Sequence, residues 1–213
     1  MVLAELGDRV PDGSVALDAL GLSVELLHAA ARAGLTARAS RTGLAPRNAP
    51  GTDLYSFTVE ELRVLLVPAG WEPQFVAGQE RTVAPDGRVA IIVSTGDGPV
   101  GEMSDMQPRT AHPKGPLMRN AVAANLGFVQ VELALGIAHP QPAEDAATPV
   151  WVLLLKVEGD CLHLELSLPN RVGDDDRVVS WSERILLPPI ALGELARADD
   201  PPPEIIDVPV DPR

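Results

Sequence analysis

Cysteine, aromatic residues and lysine are all scarce in this sequence. Cys161 is the only cysteine in 213 residues. The chain therefore has no intramolecular disulfide and no zinc or iron–sulfur site built from several cysteines. Aromatic residues make up 3%, so Leu, Val, Ile and Ala must supply the core. Lys114 and Lys156 are the only lysines among 17 basic residues, and with the many Ala, Gly and Pro this usage is typical of a GC-rich bacterial genome.

Long apolar runs are also missing. No stretch reaches about 18 consecutive apolar residues, so we expect no transmembrane helix. Residues 1–14 contain Asp8, Arg9, Pro11 and Asp12, and they lack the basic flank and apolar run of a signal peptide. A single cysteine is also typical of a reducing compartment. We therefore predict a cytoplasmic protein that does not contact a membrane.

The net charge is strongly acidic. The chain has 17 basic and 30 acidic residues, which gives −13 at pH 7. Such a chain has no global attraction to nucleic acid or to an anionic membrane surface, which argues against a nucleic-acid partner. No GxxxxGK[ST] motif occurs and no GxGxxG opens a helix, so neither common nucleotide-binding fingerprint is present.

The N-terminal part is predicted to be helical. The apolar periodicity predicts a helix over Val15–Ala33, capped by Ser14 and ended by Gly34. A turn around Gly21 would instead divide it into two helices, an arrangement that also occurs in helix-turn-helix DNA readers. Residues 40–57 have the composition of a loop, and Thr58 is the expected cap of a short helix over Val59–Val67.

The remainder alternates strands with one long helix. The predicted elements are a strand buried on both faces (Arg88–Thr95), a helix (Pro116–Leu135) and three strands (Trp151–Val157, Cys161–Leu168 and Val178–Leu187). The pattern predicts an α+β fold, with an N-terminal helical portion packed on a mixed sheet and a C-terminal antiparallel three-strand unit. We expect a single domain over residues 1–190 (helical portion 14–70, sheet portion 80–188).

Residues 191–213 are predicted to be an extended tail rich in Pro and Asp. Its apolar cluster, formed by Ile205, Ile206, Val208 and Val210, could dock on a partner or on the protein's own body.

The segment 95–119 is the main candidate for a ligand site. It follows a buried strand and leads into a helix N-terminus, a position where α/β proteins bind anions. The residues expected to bind an anion or nucleotide are Gly96, Gly98, Arg109, His112, Lys114, Gly115 and Arg119. Cations near the positive end of a helix dipole are unfavourable unless an anion or a carboxylate offsets them.

Carboxylates in the same segment leave two other interpretations open. Asp97, Glu102 and Asp105 could pair with the basic residues and make the segment purely structural. Together with Lys114 they could instead hold Mg²⁺ and a phosphate, as in metal-dependent phosphodiesterases and nucleases. Beyond this Mg²⁺ no cofactor is indicated.

A second candidate lies on the Cys161–Leu168 strand. Cys161, His163 and Glu165 point to one face, as a nucleophile, a base and an orienting acid would. Residues in a row along one strand meet the distance requirement of such a triad poorly. A cross-strand pair of Glu165 with Arg184 on a solvated face explains them more simply.

Two functional hypotheses follow from these observations. The first is a non-catalytic binding or regulatory protein that acts through a protein partner, since the chain is acidic and catalytic signatures are missing. The second is an enzyme or sensor for a small phosphate-containing ligand, bound through the segment 95–119.

Overall fold

The computed structural model of the protein describes residues 13–76, 78–135 and 148–194. In these ranges the helices are α1 (Gly13–Ala19), α2 (Val24–Ala39), α3 (Ala49–Leu66) and α4 (Gly115–Leu135). The strands are β1 (Glu72–Val76), β2 (Gln79–Val83), β3 (Ala90–Asp97), β4 (Arg109–Thr110), β5 (Val150–Glu158), β6 (Cys161–Val172) and β7 (Val178–Ala191). The predicted α+β class is confirmed: N-terminal helices accompany a mixed sheet that ends in an antiparallel β5–β6–β7 unit.

The strands form one sheet in the order β1-β2-β3-β5-β6-β7, and β4 pairs with β3 outside this path. β3 and β5 are parallel, in register from Ala90↔Val150 to Thr95↔Leu155, and every other pair is antiparallel. Helix α4 lies in the crossover between the two parallel strands, as a parallel connection requires.

Both faces of the sheet are covered. Helices α1–α3 pack on one face, where Leu27, Leu35 and Leu62 join Ile91 and Leu153 in one core. On the other face Met118 and Val122 of α4 pack against the alternate residues of the strands, such as Ile92, Val152 and Leu154. The helical and sheet portions therefore share a core, and the central strands are buried on both sides, as the unbroken apolar run in β3 predicts.

The first helical segment divides into two helices. α1 ends at Ala19, Gly21 has φ +72°, and Ser23 caps α2 by accepting a hydrogen bond from Leu26 N at 3.1 Å. The prediction of one helix ended by Gly34 is wrong, and the alternative turn at Gly21 is confirmed. Gly34 lies inside α2 and is buried against α3. Because it has no side chain, the two helices can pack closely at this point.

Helix α3 begins nine residues before Thr58, at Ala49, so the predicted loop is confirmed over 40–48 but wrong over 49–57, and the predicted cap at Thr58 is wrong. Pro50 occupies the first turn, where its missing N–H costs nothing. Thr58 is buried within the helix and satisfies its hydroxyl by donating to Leu54 O at 2.6 Å. The sheet also starts earlier than predicted, since the β1–β2 hairpin has little apolar alternation to indicate it.

The later elements agree closely with the sequence patterns. β3, α4, β5, β6 and β7 each overlap the segment predicted for them. Leu126 follows Met118 and Val122 at helical spacing, which favours burial on the same face of α4, yet it is 43% exposed. The sheet continues to Ala191, and the predicted tail lies outside the described residues from 195 onward.

No single helix among the described residues is long and apolar enough to cross a membrane; α1 and α2 together would meet the length and composition test, but they meet at 91°.

Candidate functional site

The β3–β4 loop (residues 98–108) is held against the sheet by a buried ion pair. Arg184 of β7 donates from Nε to Glu165 Oε1 at 3.0 Å and from Nη2 to Glu165 Oε2 at 2.5 Å. Its Nη2 also donates to the carbonyl oxygens of Pro99 at 3.1 Å and Glu102 at 3.2 Å. The Glu165 side chain is 0% exposed. The pair therefore links two strands of the sheet to the loop that covers them.

Glu165 also binds the loop directly. Gly101 N donates to Glu165 Oε2 at 2.8 Å, and Ser167 Oγ donates to Oε1 at 2.8 Å. Gly101 has φ +70°, and a Cβ at this position would lie 3.0 Å from Leu164 O. Only glycine allows the loop backbone to approach β6 this closely. The carboxylate thus has its acceptor capacity filled by several donors, which a buried charge requires.

Further contacts fix both ends of the loop. Lys156 Nζ donates to Gly98 O at 2.9 Å at the start. At the other end Trp181 Nε1 donates to Pro108 O at 2.8 Å, and Trp181 N donates to Gln107 Oε1 at 3.0 Å. Between these anchors the tip of the loop exposes two large apolar side chains, Met103 (80%) and Met106 (69%).

The polar face of the β6 strand is not the solvated face that the alternation predicted. The predicted pair of Glu165 with Arg184 is confirmed, but Glu165 and Ser167 are buried beneath the β3–β4 loop. His163 Nδ1 lies 3.6 Å from Glu102 Oε1, while the Glu165 carboxylate is engaged by Arg184, Ser167 and Gly101. A row of nucleophile, base and orienting acid is therefore not formed.

The two arginines of the predicted anion site each have their own carboxylate. Arg109 donates from Nη2 to Asp97 Oδ2 at 2.9 Å, and this contact lowers the pKa of Asp97. Arg119 donates from Nε to Asp176 Oδ1 at 2.8 Å and from Nη2 to Gly173 O at 3.0 Å. Arg109 and Arg119 therefore bind separate partners on β3 and on the β6–β7 turn, and the structure does not bring them together on one ligand position.

The remaining predicted anion ligands have local structural roles or stand apart. Gly96 pairs with Thr110 between β3 and β4, and Gly98 N donates to Asp97 Oδ1 at 3.0 Å. His112 is exposed, and its carbonyl oxygen accepts from Thr110 Oγ1 at 3.1 Å. Gly115 begins α4 at φ +70°.

The acidic residues of the segment are not gathered into a metal site. Asp97 is used by Arg109, Glu102 approaches His163, and Asp105 is exposed. Among residues 13–76, 78–135 and 148–194, no group of three His, Cys, Asp or Glu side chains is arranged to hold a metal ion. The predicted Mg²⁺ ligands thus lack the convergence that a hard divalent cation needs.

Lys114 lies beside a gap along one edge of β3. Backbone carbonyl groups of alternate residues in a strand point to the same edge, so Val89 O and Thr95 O both lie on this one. Val89 O accepts a hydrogen bond from Ala84 N, and Thr95 O accepts one from Ala111 N at 2.9 Å. β2 pairs with this edge only as far as Ile91, and β4 begins to pair at Gly96. Between these contacts no described strand pairs with the edge.

A cavity of about 220 Å³ occupies this gap, and we call it the Lys114 cavity. Tyr55 of α3 reaches it from one face of the sheet, and Lys114 reaches it from just before α4 on the other. The remaining lining residues are Gly78, Gln79, Glu80, Ile92, Val93 and Pro113. Glu80 is already paired, since its Oε2 accepts from Arg63 Nη2 at 2.7 Å.

Lys114 and Tyr55 bring unpartnered polar groups to this cavity. No described residue accepts a hydrogen bond from Lys114 Nζ, and burial alone lowers the pKa of its ammonium group. Burial, followed by the charge of Glu80, raises the pKa of Tyr55, so its hydroxyl stays protonated and able to donate at neutral pH. The sequence singled out Lys114 but not Tyr55, the only tyrosine in the chain. The register of α3 would have indicated it, had that segment been recognised as helix.

We expect Lys114→Met to stabilise the fold by about 1 kcal/mol at pH 7, because it removes a partly buried charge that has no partner among the described residues. The pKa of Lys114 is lower in the folded protein than in the unfolded chain. Between the folded pKa and about 10.4 the unfolded chain therefore binds one more proton than the folded protein does. The advantage of the variant should therefore be complete below the folded pKa and fade as the pH rises towards 10.4. Urea unfolding of both chains at several pH values measures this difference, and a pH-independent difference would contradict it.

Two other concavities carry no comparable signal. A cavity of about 310 Å³ lies beside the α1–α2 turn, between Trp71 and Trp151, but its Arg88 and Asp86 side chains pair with each other at 2.6 Å. An open groove of about 610 Å³ runs along α3 past Val64, and its Arg63 is paired with Glu80. In the part of the chain that the structure describes, neither concavity is lined by a cation without a carboxylate partner.

Comparison of the chain with protein-family models, with curated proteins and with solved structures finds no match in any of the three.

Proposed function

We propose that the protein is a non-catalytic binding protein that recognises a protein partner with the tip of the β3–β4 loop. The observation that carries this proposal is the contrast within one loop. Its base is fixed by Arg184, Glu165, Lys156 and Trp181, while its tip exposes Met103 and Met106 to solvent.

Such an arrangement favours binding over a purely structural role. Burying the charge of Glu165 has a desolvation cost, which ideal geometry and several donors offset. What the ion pair adds is a single conformation of the loop, so little conformational entropy is lost when a partner binds its tip. Methionine side chains are flexible and polarisable, and they adapt well to apolar surfaces on a partner.

Charge defines the partner further. Glu102 and Asp105 are exposed on either side of Met103, and the chain as a whole carries −13. A complementary surface therefore has an apolar depression for the methionines and basic residues around it. The alternative of a phosphate ligand bound by the whole segment has less support, because Arg109 and Arg119 are paired separately.

Photo-crosslinking in the producing cells tests this proposal. A photoreactive amino acid at position 103 or 106 should form adducts with one discrete protein. The same residue at Leu44, which is 97% exposed and apolar, is the matched control and should not. The double variant Met103→Ser/Met106→Ser should lower recovery of that protein at least tenfold, about 1.4 kcal/mol, since contacts of this kind carry 1–2 kcal/mol or more when they are central.

The double variant should keep the stability of the wild type within about 0.5 kcal/mol, because both side chains are exposed. Equal adducts at position 44, or undiminished recovery with the double variant, would contradict a partner bound by this tip.

A further inference from the structure

We propose that the Lys114 cavity is a binding site for a small organic monocarboxylate, in which Lys114, Tyr55 and Gln79 hold the carboxylate group. This site is separate from the β3–β4 loop tip, and its test does not depend on the proposed protein partner.

Apart from Glu80, the described polar side chains that line the cavity present donors without an acceptor among the described residues. Lys114 Nζ and the Tyr55 hydroxyl make no hydrogen bond to a described residue. The Gln79 carboxamide uses its oxygen to accept from Arg81 Nε at 3.0 Å, which leaves its NH₂ group as a donor. These three side chains are partly buried, and a set of donors without a protein acceptor around one cavity is matched by a ligand rich in acceptors. A carboxylate supplies two acceptor oxygens and the charge opposite to that of Lys114.

The charge of the site favours a monoanion over phosphate. Among the described residues that line the cavity, Lys114 is the one cation, and Glu80, the one carboxylate, is paired with Arg63 at 2.7 Å. The net charge to be compensated is therefore a single positive charge. Arg109 and Arg119, which a phosphate dianion would need in addition, are bound to Asp97 and Asp176.

The volume and the apolar walls limit the rest of the ligand. About 220 Å³ corresponds to roughly seven water volumes of about 30 Å³ each. Ile92, Val93 and Pro113 form apolar walls beside the donors. The site thus fits a short, branched aliphatic acid, and isobutyrate is a suitable probe of this class.

Thermal unfolding gives the first measurement. Isobutyrate at about ten times its Kd should raise the Tm of the full chain by about 3–5 °C over sodium chloride of the same ionic strength. Isobutyramide, the neutral isostere, should give no shift, and inorganic phosphate should give none above the salt control. A flat response to isobutyrate, or an equal response to phosphate, would overturn the assignment.

Variants locate the site. Lys114→Met should abolish the shift, and Tyr55→Phe should weaken binding roughly tenfold, as the loss of a hydrogen bond to a charged group does. Arg109→Gln removes a cation of the same segment that is paired elsewhere, so binding should be unchanged. Unchanged binding in Lys114→Met, or loss of binding in Arg109→Gln, would exclude this cavity.

Amine acylation of the wild-type chain adds a readout that needs no variant. The chain has two lysines, and Lys156 is bound to Gly98 O and Glu158. Isobutyrate should slow acylation of Lys114 severalfold, measured by peptide mass spectrometry, and leave the rate at Lys156 unchanged. Protection of neither lysine, or of both alike, would contradict binding at Lys114.

Discussion

Arg184→Met is expected to destabilise the protein by about 3–5 kcal/mol. The substitution leaves the Glu165 carboxylate fully buried, with the Ser167 hydroxyl and Gly101 N–H as its remaining donors. Removing one member of a buried ion pair has a cost of this size, because the other charge stays desolvated without its partner. Urea unfolding at pH 7 followed by tryptophan fluorescence measures the change.

Two further variants separate the buried charge from the loss of packing. Replacing both Glu165 and Arg184 with Met removes the unpaired charge, so the double variant should recover a large part of the stability lost in Arg184→Met. Arg119→Met breaks an ion pair with Asp176 whose side chains are both well exposed, and should cost at most about 1 kcal/mol. Equal losses for Arg184→Met and Arg119→Met would show that the buried pair does not carry the stability assigned to it.

The same substitution connects stability to the proposed binding loop. Arg184 donates to Pro99 O and Glu102 O, so its loss removes two of the contacts that hold the loop on β7, while Gly101 N–H still binds Glu165 and Trp181 still binds the far end of the loop. Amide exchange at Gly101 should become faster. Binding of a partner by Met103 and Met106 should weaken even though neither methionine has changed, because the tip must then be ordered on binding.

Local patterns predicted the C-terminal sheet well because each strand carries its own signal. The alternation of Leu162, Leu164 and Leu166 places these residues in one core, and the tight turn after Glu158 fixes the β5–β6 register. The pairing of Glu165 with Arg184 followed from the same alternation. Its burial did not, since it depends on a loop more than sixty residues earlier in the chain that folds across the strand.

Helix α3 shows where composition misleads. Pro50 and Gly51 are typical of loops, yet Pro is tolerated in the first turn of a helix. Thr58 looked like a cap because threonine commonly caps helices. It is instead a buried residue whose hydroxyl is satisfied by Leu54 O within the same helix. Burial against α2 stabilises α3 more than its intrinsic propensity does.

The candidate site was predicted in part for a related reason. Residue types indicated that the segment 95–119 has more cations than a helix N-terminus tolerates. Three of them, Arg109, Lys114 and Arg119, were therefore expected to bind one anion together. Which of these cations forms an ion pair depends in part on Asp176, which lies in a turn far along the chain and pairs with Arg119. Only Lys114 is left without a described acceptor. The cavity beside it exists because β2 leaves β3 after two residue pairs, which no local pattern records.

Gly34→Ala is expected to destabilise the protein by at least about 2 kcal/mol and to lower its Tm by about 4–8 °C. In an exposed helix the change would stabilise by about 1 kcal/mol, because alanine has the higher helix propensity. Here the added Cβ would fall far inside van der Waals contact of the Thr58 hydroxyl and of the Leu54 carbonyl oxygen. Backbone cannot rotate away as a flexible side chain can, so α2 and α3 must separate.

Gly51→Ala is the matched control for this helix pair. Gly51 lies in α3, and a Cβ there would meet nothing within 4 Å, so the substitution should stabilise by about 0.5–1 kcal/mol. Thr58→Ala combined with Gly34→Ala removes one of the two clashes and should recover part of the loss. Thermal unfolding of the three variants beside the wild type measures these effects. If Gly34→Ala were as stable as Gly51→Ala, the two helices could not be packed at backbone contact, and Gly34 would be an ordinary weak helix former.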